Sequence, residues 1–266
     1  MKRFVAILMT AIMLLSLTAC AETETERIVD LSYSEAFSIY ADAINSVWEA
    51  GSFAGHISLF GLFSMMGMER RNELAIGIRH VFGNEDDFHA EIDASWTPSE
   101  FIAHFKDGVF YFNSYYERFR LDMPGYLFLR MTLSMLVTEI LFSEDYIFGL
   151  EVIEDSYGTA MRFEVRQSGM QDVLRQLADF EDTGGATLFE EDDISYEFED
   201  VVIGVRIDPD GELRDIRLAF VYLARHHHID ETAVVSAYLE IGMSISQVGG
   251  VIIDFPNDLH SFPDFM

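Results

Sequence analysis

Three clusters of side chains in this chain are of types that could do chemistry. His226-His227-His228, with Asp230 and Glu231 just beyond, sets imidazoles beside carboxylates, a donor set suited to zinc. Consecutive side chains on a strand point to opposite faces, so at most His226 and His228 converge, and the run falls where a hairpin tip is expected. A metal-binding reading depends on that run alone. Asp208-Pro209-Asp210-Gly211 has the opening of a calcium loop without the further oxygen ligands or the bidentate Glu at the twelfth place. Pro at its second place and Gly at its fourth suit a type I turn instead. Glu190-Glu191-Asp192-Asp193, after Phe189, has the pattern of a solvated loop that binds cations weakly and without selectivity. The chain has no Gly-x-Ser-x-Gly elbow, no His-Glu-x-x-His helix and no glycine-rich phosphate loop. With 46 acidic residues, carboxylate pairs are too common to mark acid–base catalysis. The expectation is a protein that is not an enzyme, with no catalytic residue, cofactor or metal site.

Cys20 is the only cysteine, and its setting is more informative. Met1-Lys2-Arg3 is a short basic start, and Phe4 to Leu17 is apolar apart from Thr10 and Ser16. The run ends at Leu17-Thr18-Ala19-Cys20. A basic start, an apolar stretch and a small residue at the cut site make a secretory signal. The apolar stretch falls short of the roughly 20 residues needed to span a bilayer, which argues against a transmembrane anchor. An ordinary signal peptide with an incidental cysteine is the other alternative. Cys20 directly after Leu-Thr-Ala resembles the bacterial lipobox. That resemblance implies cleavage before Cys20, a diacylglyceryl thioether with fatty chains such as palmitate, and attachment to the outer side of the bacterial cell membrane. Residues 1–19 are then the signal, 20–30 an acidic tether and 31–266 one domain.

Half the residues are hydrophobic and 14% aromatic, enough for a sizeable core without disulfides. The net charge of −29 becomes more negative when Lys2 and Arg3 leave with the signal. Such a surface repels nucleic acid and anionic headgroups. It suits solubility outside the cell, and a basic protein partner is the functional alternative.

The periodicity predicts the elements that would hold any site. Ser32-Tyr33-Ser34-Glu35 is a capping box, followed by Phe37, Tyr40, Ile44, Val47 and Trp48 at helical spacing and by Gly51 as the stop. From Ser52 to about Met123 the period becomes 2, with turns at Gly83-Asn84-Glu85-Asp86, Thr97-Pro98-Ser99 and Lys106-Asp107-Gly108, the pattern of an antiparallel meander. A nearly all-apolar helix is expected from Gly125 to Phe142, buried or lining a cavity, since Arg130 and Glu139 argue against a membrane span. An amphipathic helix carries Met170, Val173, Leu174, Leu177 and Phe180 on one stripe. Strands are expected at Ile147 to Ile153, Thr159 to Val165, Tyr196 to Ile207, Leu213 to Ala224 and Ala233 to Ser246. Met65, Met66, Met68, Met131 and Met135 are adaptable side chains, fit for a pocket or for plain core filling.

This order of elements resembles the bacterial lipoproteins related to LolA and LppX, including Gram-positive members. The shared features are the lipobox, one N-terminal helix and the meander. They continue with Gly108-Val109-Phe110-Tyr111, the charged strand Glu117 to Leu121, the helical insertion, the Asp-x-Asp-Gly-x-Leu hairpin and the tail Pro256-Asn257-Asp258-Leu259. The resemblance implies an α+β fold: a strongly curved antiparallel sheet, an unclosed half-barrel, with helices packed on its concave side. It implies a cavity for a hydrophobic, lipid-like ligand, lined or covered by Leu127, Phe128, Met131, Met135, Leu136 and Ile140. A tether at Cys20 departs from the freely diffusing shuttle of the LolA type. The reading is a membrane-anchored lipoprotein that binds or presents an apolar ligand, with a non-catalytic envelope sensing or interaction module as the alternative.

Overall fold

Twelve strands join edge to edge in a single antiparallel ladder. The computed structural model describes residues 27–65, 68–82, 89–94, 100–122, 143–172, 194–226 and 234–265. In chain order the strands are β1 (Arg27–Ile28), β2 (Ser52–Met65), β3 (Met68–Val81), β4 (His89–Asp93), β5 (Phe101–Lys106), β6 (Val109–Ser114) and β7 (Arg118–Asp122). They continue with β8 (Ile147–Asp155), β9 (Gly158–Val165), β10 (Ile194–Ile207), β11 (Leu213–His226) and β12 (Val234–Val248). Their spatial order is β1-β8-β9-β10-β11-β12-β2-β3-β4-β5-β6-β7. β1 and β7 stand at opposite edges, so the sheet is an unclosed half-barrel, as the sequence predicts. A twisted sheet of this many strands curls rather than lying flat.

Strand length divides the sheet into two halves. β10, β11, β12, β2 and β3 are 14 or 15 residues long, about 45 Å at the usual rise. Their neighbours are short. β9 pairs with β10 only from Val202 to Ile207, and β4 pairs with β3 only from Gly77 to Val81. All twelve strands therefore meet in a wide half, and the five long ones continue alone into a narrow half.

The helix α1 (Tyr33–Glu49) lies on the inner face of the wide half, against β2, β10 and β11. Ser32 caps it: the Glu35 N–H donates to the Ser32 hydroxyl, and the Glu35 carboxylate accepts from the Ser32 N–H at 2.9 Å. Gly51, with φ +72°, takes the left-handed position that ends it. Its buried stripe is Ala36, Tyr40, Ala43 and Val47, while Phe37 and Trp48, expected on the apolar face, are partly exposed. Small residues at 36 and 43 let the helix approach the sheet closely. Below them lie Phe53, Ile57, Phe163, Val205, Ile216, Met243 and Ile245.

Two differences from the sequence reading have physical reasons. Arg27–Ile28 pairs with Glu154 and Ile153, and the Val29 N–H donates to Val152 O at 3.0 Å, so the end of the expected tether forms a sheet edge. β5 passes unremarked in the sequence because both its faces are covered, and alternation is lost. Phe105 is buried on the inner face and His104 on the outer. The cover on the outer face is the C-terminal segment from Val251, which crosses β4 to β7. Phe255 lies against His89, His104 and Lys106, and Phe262 against Tyr111 and Arg118. Arg118 pairs with Asp258 at 2.5 Å and Arg120 with Asp264 at 2.6 Å. Asp264 bridges β7 in parallel at Arg120, which shields that edge.

The β8–β9 hairpin depends on Gly158, at φ +118°, where an added Cβ would lie 2.0 Å from the Ile207 carbonyl oxygen. Gly158→Ala is expected to cost more than about 2 kcal/mol, since both the backbone and β10 must move. Chemical denaturation of the two proteins checks this, and unchanged stability would refute the close approach.

Candidate functional site

Apolar side chains on the inner face continue along the long strands into the narrow half. Antiparallel pairing sets them in cross-strand rows. Ile216, Met243, Ile57 and Ile76 form the last row near the helix. The next row is Leu218, Ile241, Leu59 and Leu74, then Phe220, Leu239, Gly61 and Asn72, then Phe198, Tyr222, Ala237, Phe63 and Arg70. Toward β10 and β11 these residues are buried, with Phe198, Leu218 and Phe220 almost inaccessible. Toward β3 they open to solvent, with Leu59 at 38% and Leu74 at 37% exposure. A surface with this gradient can take apolar area from a ligand by the hydrophobic effect.

Gly61 shapes the middle of this surface. A Cβ there would come within 2.7 Å of the Phe63 ring and 3.2 Å of Leu239. The missing side chain lets the Phe63 ring lie across β2 toward Leu239. Asn72 and Arg70 supply the polar rim on β3.

A second apolar tract covers the inner face of β5 to β7. Phe101 and Phe112 are 5.3 Å apart, Phe112 and Phe119 stack at 5.0 Å, and Phe265 meets Phe119 at 4.8 Å. Phe105 and Ala90 close this tract toward Phe82. Between tract and helix lies His80, fully buried, stacked on Phe53 at 5.0 Å and near Phe82 at 6.1 Å. Burial among these rings pushes its pKa down to about 3, so the ring is neutral in the folded protein. Burial raises the Tyr40 hydroxyl above its usual range for the same reason.

The expected site residues fall differently. Cys20, Leu127, Phe128, Met131, Met135, Leu136 and Ile140 lie outside the described residues, as do His227 and His228. His226 ends β11 as backbone. Asp208 belongs to a hydrogen-bonded turn: the Gly211 N–H donates to its carbonyl at 3.0 Å. The Asp208 carboxylate accepts from the Asp210 and Glu212 N–H groups and from Arg214. Its oxygens are therefore committed to the turn, and among the described residues no group of three or more His, Cys, Asp or Glu is arranged to hold a metal. Sequence reasoning missed the inner-face rows because it named strands but could not pair them. Alternation in β2 and β3 carried the signal, without the register that makes neighbours of Leu59 and Leu74.

No protein-family model matches the chain, and no curated protein does. Among solved structures, a LolA superfamily protein from Nitrosomonas europaea is similar over 84% of this chain and 96% of that one, at 10% identity and a TM-score of 0.25. An outer membrane lipoprotein-sorting protein domain from Vibrio parahaemolyticus is similar over 86% and 98%, at 8% identity and a TM-score of 0.26. The ywiB protein from Bacillus subtilis is similar over 74% and 94%, at 7% identity and a TM-score of 0.21.

Because the folded pKa of His80 lies below the ordinary histidine value, the unfolded chain takes up the proton first as pH falls. The stability that depends on neutral His80 is complete above about pH 6.5 and is lost as pH drops toward 3. His80→Leu is expected to remove several kcal/mol of acid sensitivity in that window. Urea unfolding of both proteins between pH 7 and 3.5 checks this, and parallel curves would refute it.

Proposed function

We propose that this chain is a membrane-anchored bacterial lipoprotein that holds or presents a hydrophobic, lipid-like ligand on the inner face of its half-barrel. The observation that carries the reading is the half-exposed pair Leu59 and Leu74, with Leu239 and Phe63 in the next rows of the same inner face. Burying such surface against an acyl chain is worth about 25 cal/mol per Å² and needs no polar match. The segment from Gly125 to Phe142 follows β7 in the sequence. In this reading its apolar residues Leu127, Phe128, Met131, Met135, Leu136 and Ile140 cover the ligand. Cys20, carrying a diacylglyceryl group, anchors the single domain outside the cytoplasm on a short acidic tether.

The reading needs no catalytic group, and the polar clusters on the sheet do structural work. Arg206 with Asp155, Arg214 with Asp208, and Arg217 with Glu240 are ion pairs that tie strands and turns together. Those pairs also favour a second reading. With arginines taken up in this way, the remaining acids leave a surface suited to a basic protein partner. Salt-sensitive partner capture from a protein with no bound lipid would favour that interaction module.

Two experiments test the leading reading. Expressed from Ala21 to Met266, the protein is expected to carry apolar molecules detectable by mass spectrometry of an organic extract. Leu59→Glu with Leu74→Glu is expected to lower that load about tenfold with the far-ultraviolet spectrum unchanged. An extract free of apolar molecules would overturn the carrier reading. In the full-length chain, Cys20→Ala is expected to abolish palmitate labelling and release the protein from the membrane fraction; retained labelling would overturn the anchor.

A further inference from the structure

The narrow half leaves β3 with an open edge. β4 stops pairing at Gly77, so over residues 68–76 no strand among the described residues lies on the far side of β3. Residues 68–74 are all exposed, Met68 at 66%. The phase of the ladder shows which backbone groups this edge offers. The Ala94 N–H donates to Phe101 O at 2.9 Å, so the even residues of β4 turn their backbone groups toward β5 and the odd ones toward β3. Asp93 and Glu91 face Gly77 and Arg79, so the odd residues of β3 turn theirs away from β2. The Phe82 N–H donates at 2.8 Å to Gly51 O on the β2 side, which gives the same phase. The open edge therefore presents the N–H and C=O groups of Glu69, Arg71, Glu73 and Ala75.

We propose that this edge pairs, antiparallel, with the same edge of a second copy of the chain about a twofold axis through Asn72. The order of charges selects that register. A twofold axis at Arg71 sets arginine against arginine and Glu69 against Glu73, and an axis at Glu73 sets glutamate against glutamate. Like charges directly opposite on a sheet are destabilising. An axis at Arg70 matches Glu69 with Arg71 but leaves a shorter overlap. An axis at Asn72 sets Arg71 opposite Glu73 of the second copy twice over, with Glu69 opposite Ala75. All four pairs hydrogen bond in the phase the ladder dictates, about eight N–H···O bonds in total. Within one chain Arg71 and Glu73 already pair at 2.9 Å on the same outer face, both well exposed, so the groups are placed to exchange partners. On the inner face Met68 meets Ile76 and Arg70 meets Leu74. The rows of Leu59 and Leu74 in the two copies then lie on either side of a seam lined by Arg70 and Asn72. Edge charges commonly prevent such pairing. Here their order is self-complementary, and an isologous twofold contact follows from it.

The test uses the full-length chain in its membrane. At the axis the two copies of residue 72 form a non-hydrogen-bonded pair with Cα atoms about 4.5 Å apart, within disulfide range. Asn72→Cys is expected to give a disulfide-linked dimer at least about tenfold above the wild-type chain and above Ser246→Cys on the outer face of β12. Adding Arg71→Glu is expected to cut that yield about tenfold, and adding Arg71→Glu with Glu73→Arg to restore it. Cross-linking at residue 72 no greater than in the two controls would overturn the dimer. A dimer indifferent to Arg71→Glu would overturn the register.

Discussion

The structure depends on one mismatch of dimensions: a single sheet with an apolar inner face wider and taller than one helix can cover. A helix of 17 residues spans about 25 Å, roughly half the height of the long strands. α1 uses that length in the wide half, where Ala36, Tyr40, Ala43 and Val47 seal the rows from Phe163 to Ile57. Beyond it the same strands continue, and so does their alternation, because the period of a strand does not stop where its cover stops. The apolar rows of the narrow half follow from this. At their β2 and β3 end, Leu59 and Leu74 remain half exposed.

The outer face obeys a different rule. It is largely polar and tied by ion pairs, with an apolar strip of Phe60, Leu62, Tyr238 and Val221 on the long strands and an aromatic cover where the C-terminal segment crosses it. Phe255 and Phe262 cover His104 and Tyr111, and the carboxylates of Asp258 and Asp264 meet Arg118 and Arg120. Hydrogen bonding to Arg118 holds the Asp258 carboxyl below the usual range. A segment with only one short 3-10 turn, Leu259–Ser261, thus does for β4 to β7 what α1 does for the long strands. It covers a face and an edge that would otherwise be open.

Edges are the remaining liability of an unclosed sheet. In the wide half β1 is two residues long and β7 is bridged by Asp264, so both ends are blunted. Among the described residues β3 has neither device in the narrow half, only charges whose order repeats with the right symmetry. The half that offers an apolar surface is also the half that offers an edge. One geometrical cause, the premature end of the short strands, accounts for both.

Much of this was legible in the residues themselves. Ser32 and Glu35 fixed the start of α1 through local hydrogen bonds, Gly51 its end through backbone freedom, and Asp208 to Gly211 a tight turn. Alternation gave nearly every strand. These are local properties, set by spacing along the chain. Pairing was not legible: that β12 lies between β11 and β2, and that β9 leaves β10 at Val202, depends on contacts distant in sequence. Which half of the sheet stays open therefore appeared only in the tertiary structure. β5 and the tail Phe255 were hidden for a related reason, since each covers the other and neither shows a solvent face. The sequence by itself determined a signal-like start ending at the lipobox-like Cys20 and an α+β fold of antiparallel strands. Only the register decided where an apolar molecule would meet it, because neighbours across a sheet are chosen by strand pairing and not by position along the chain.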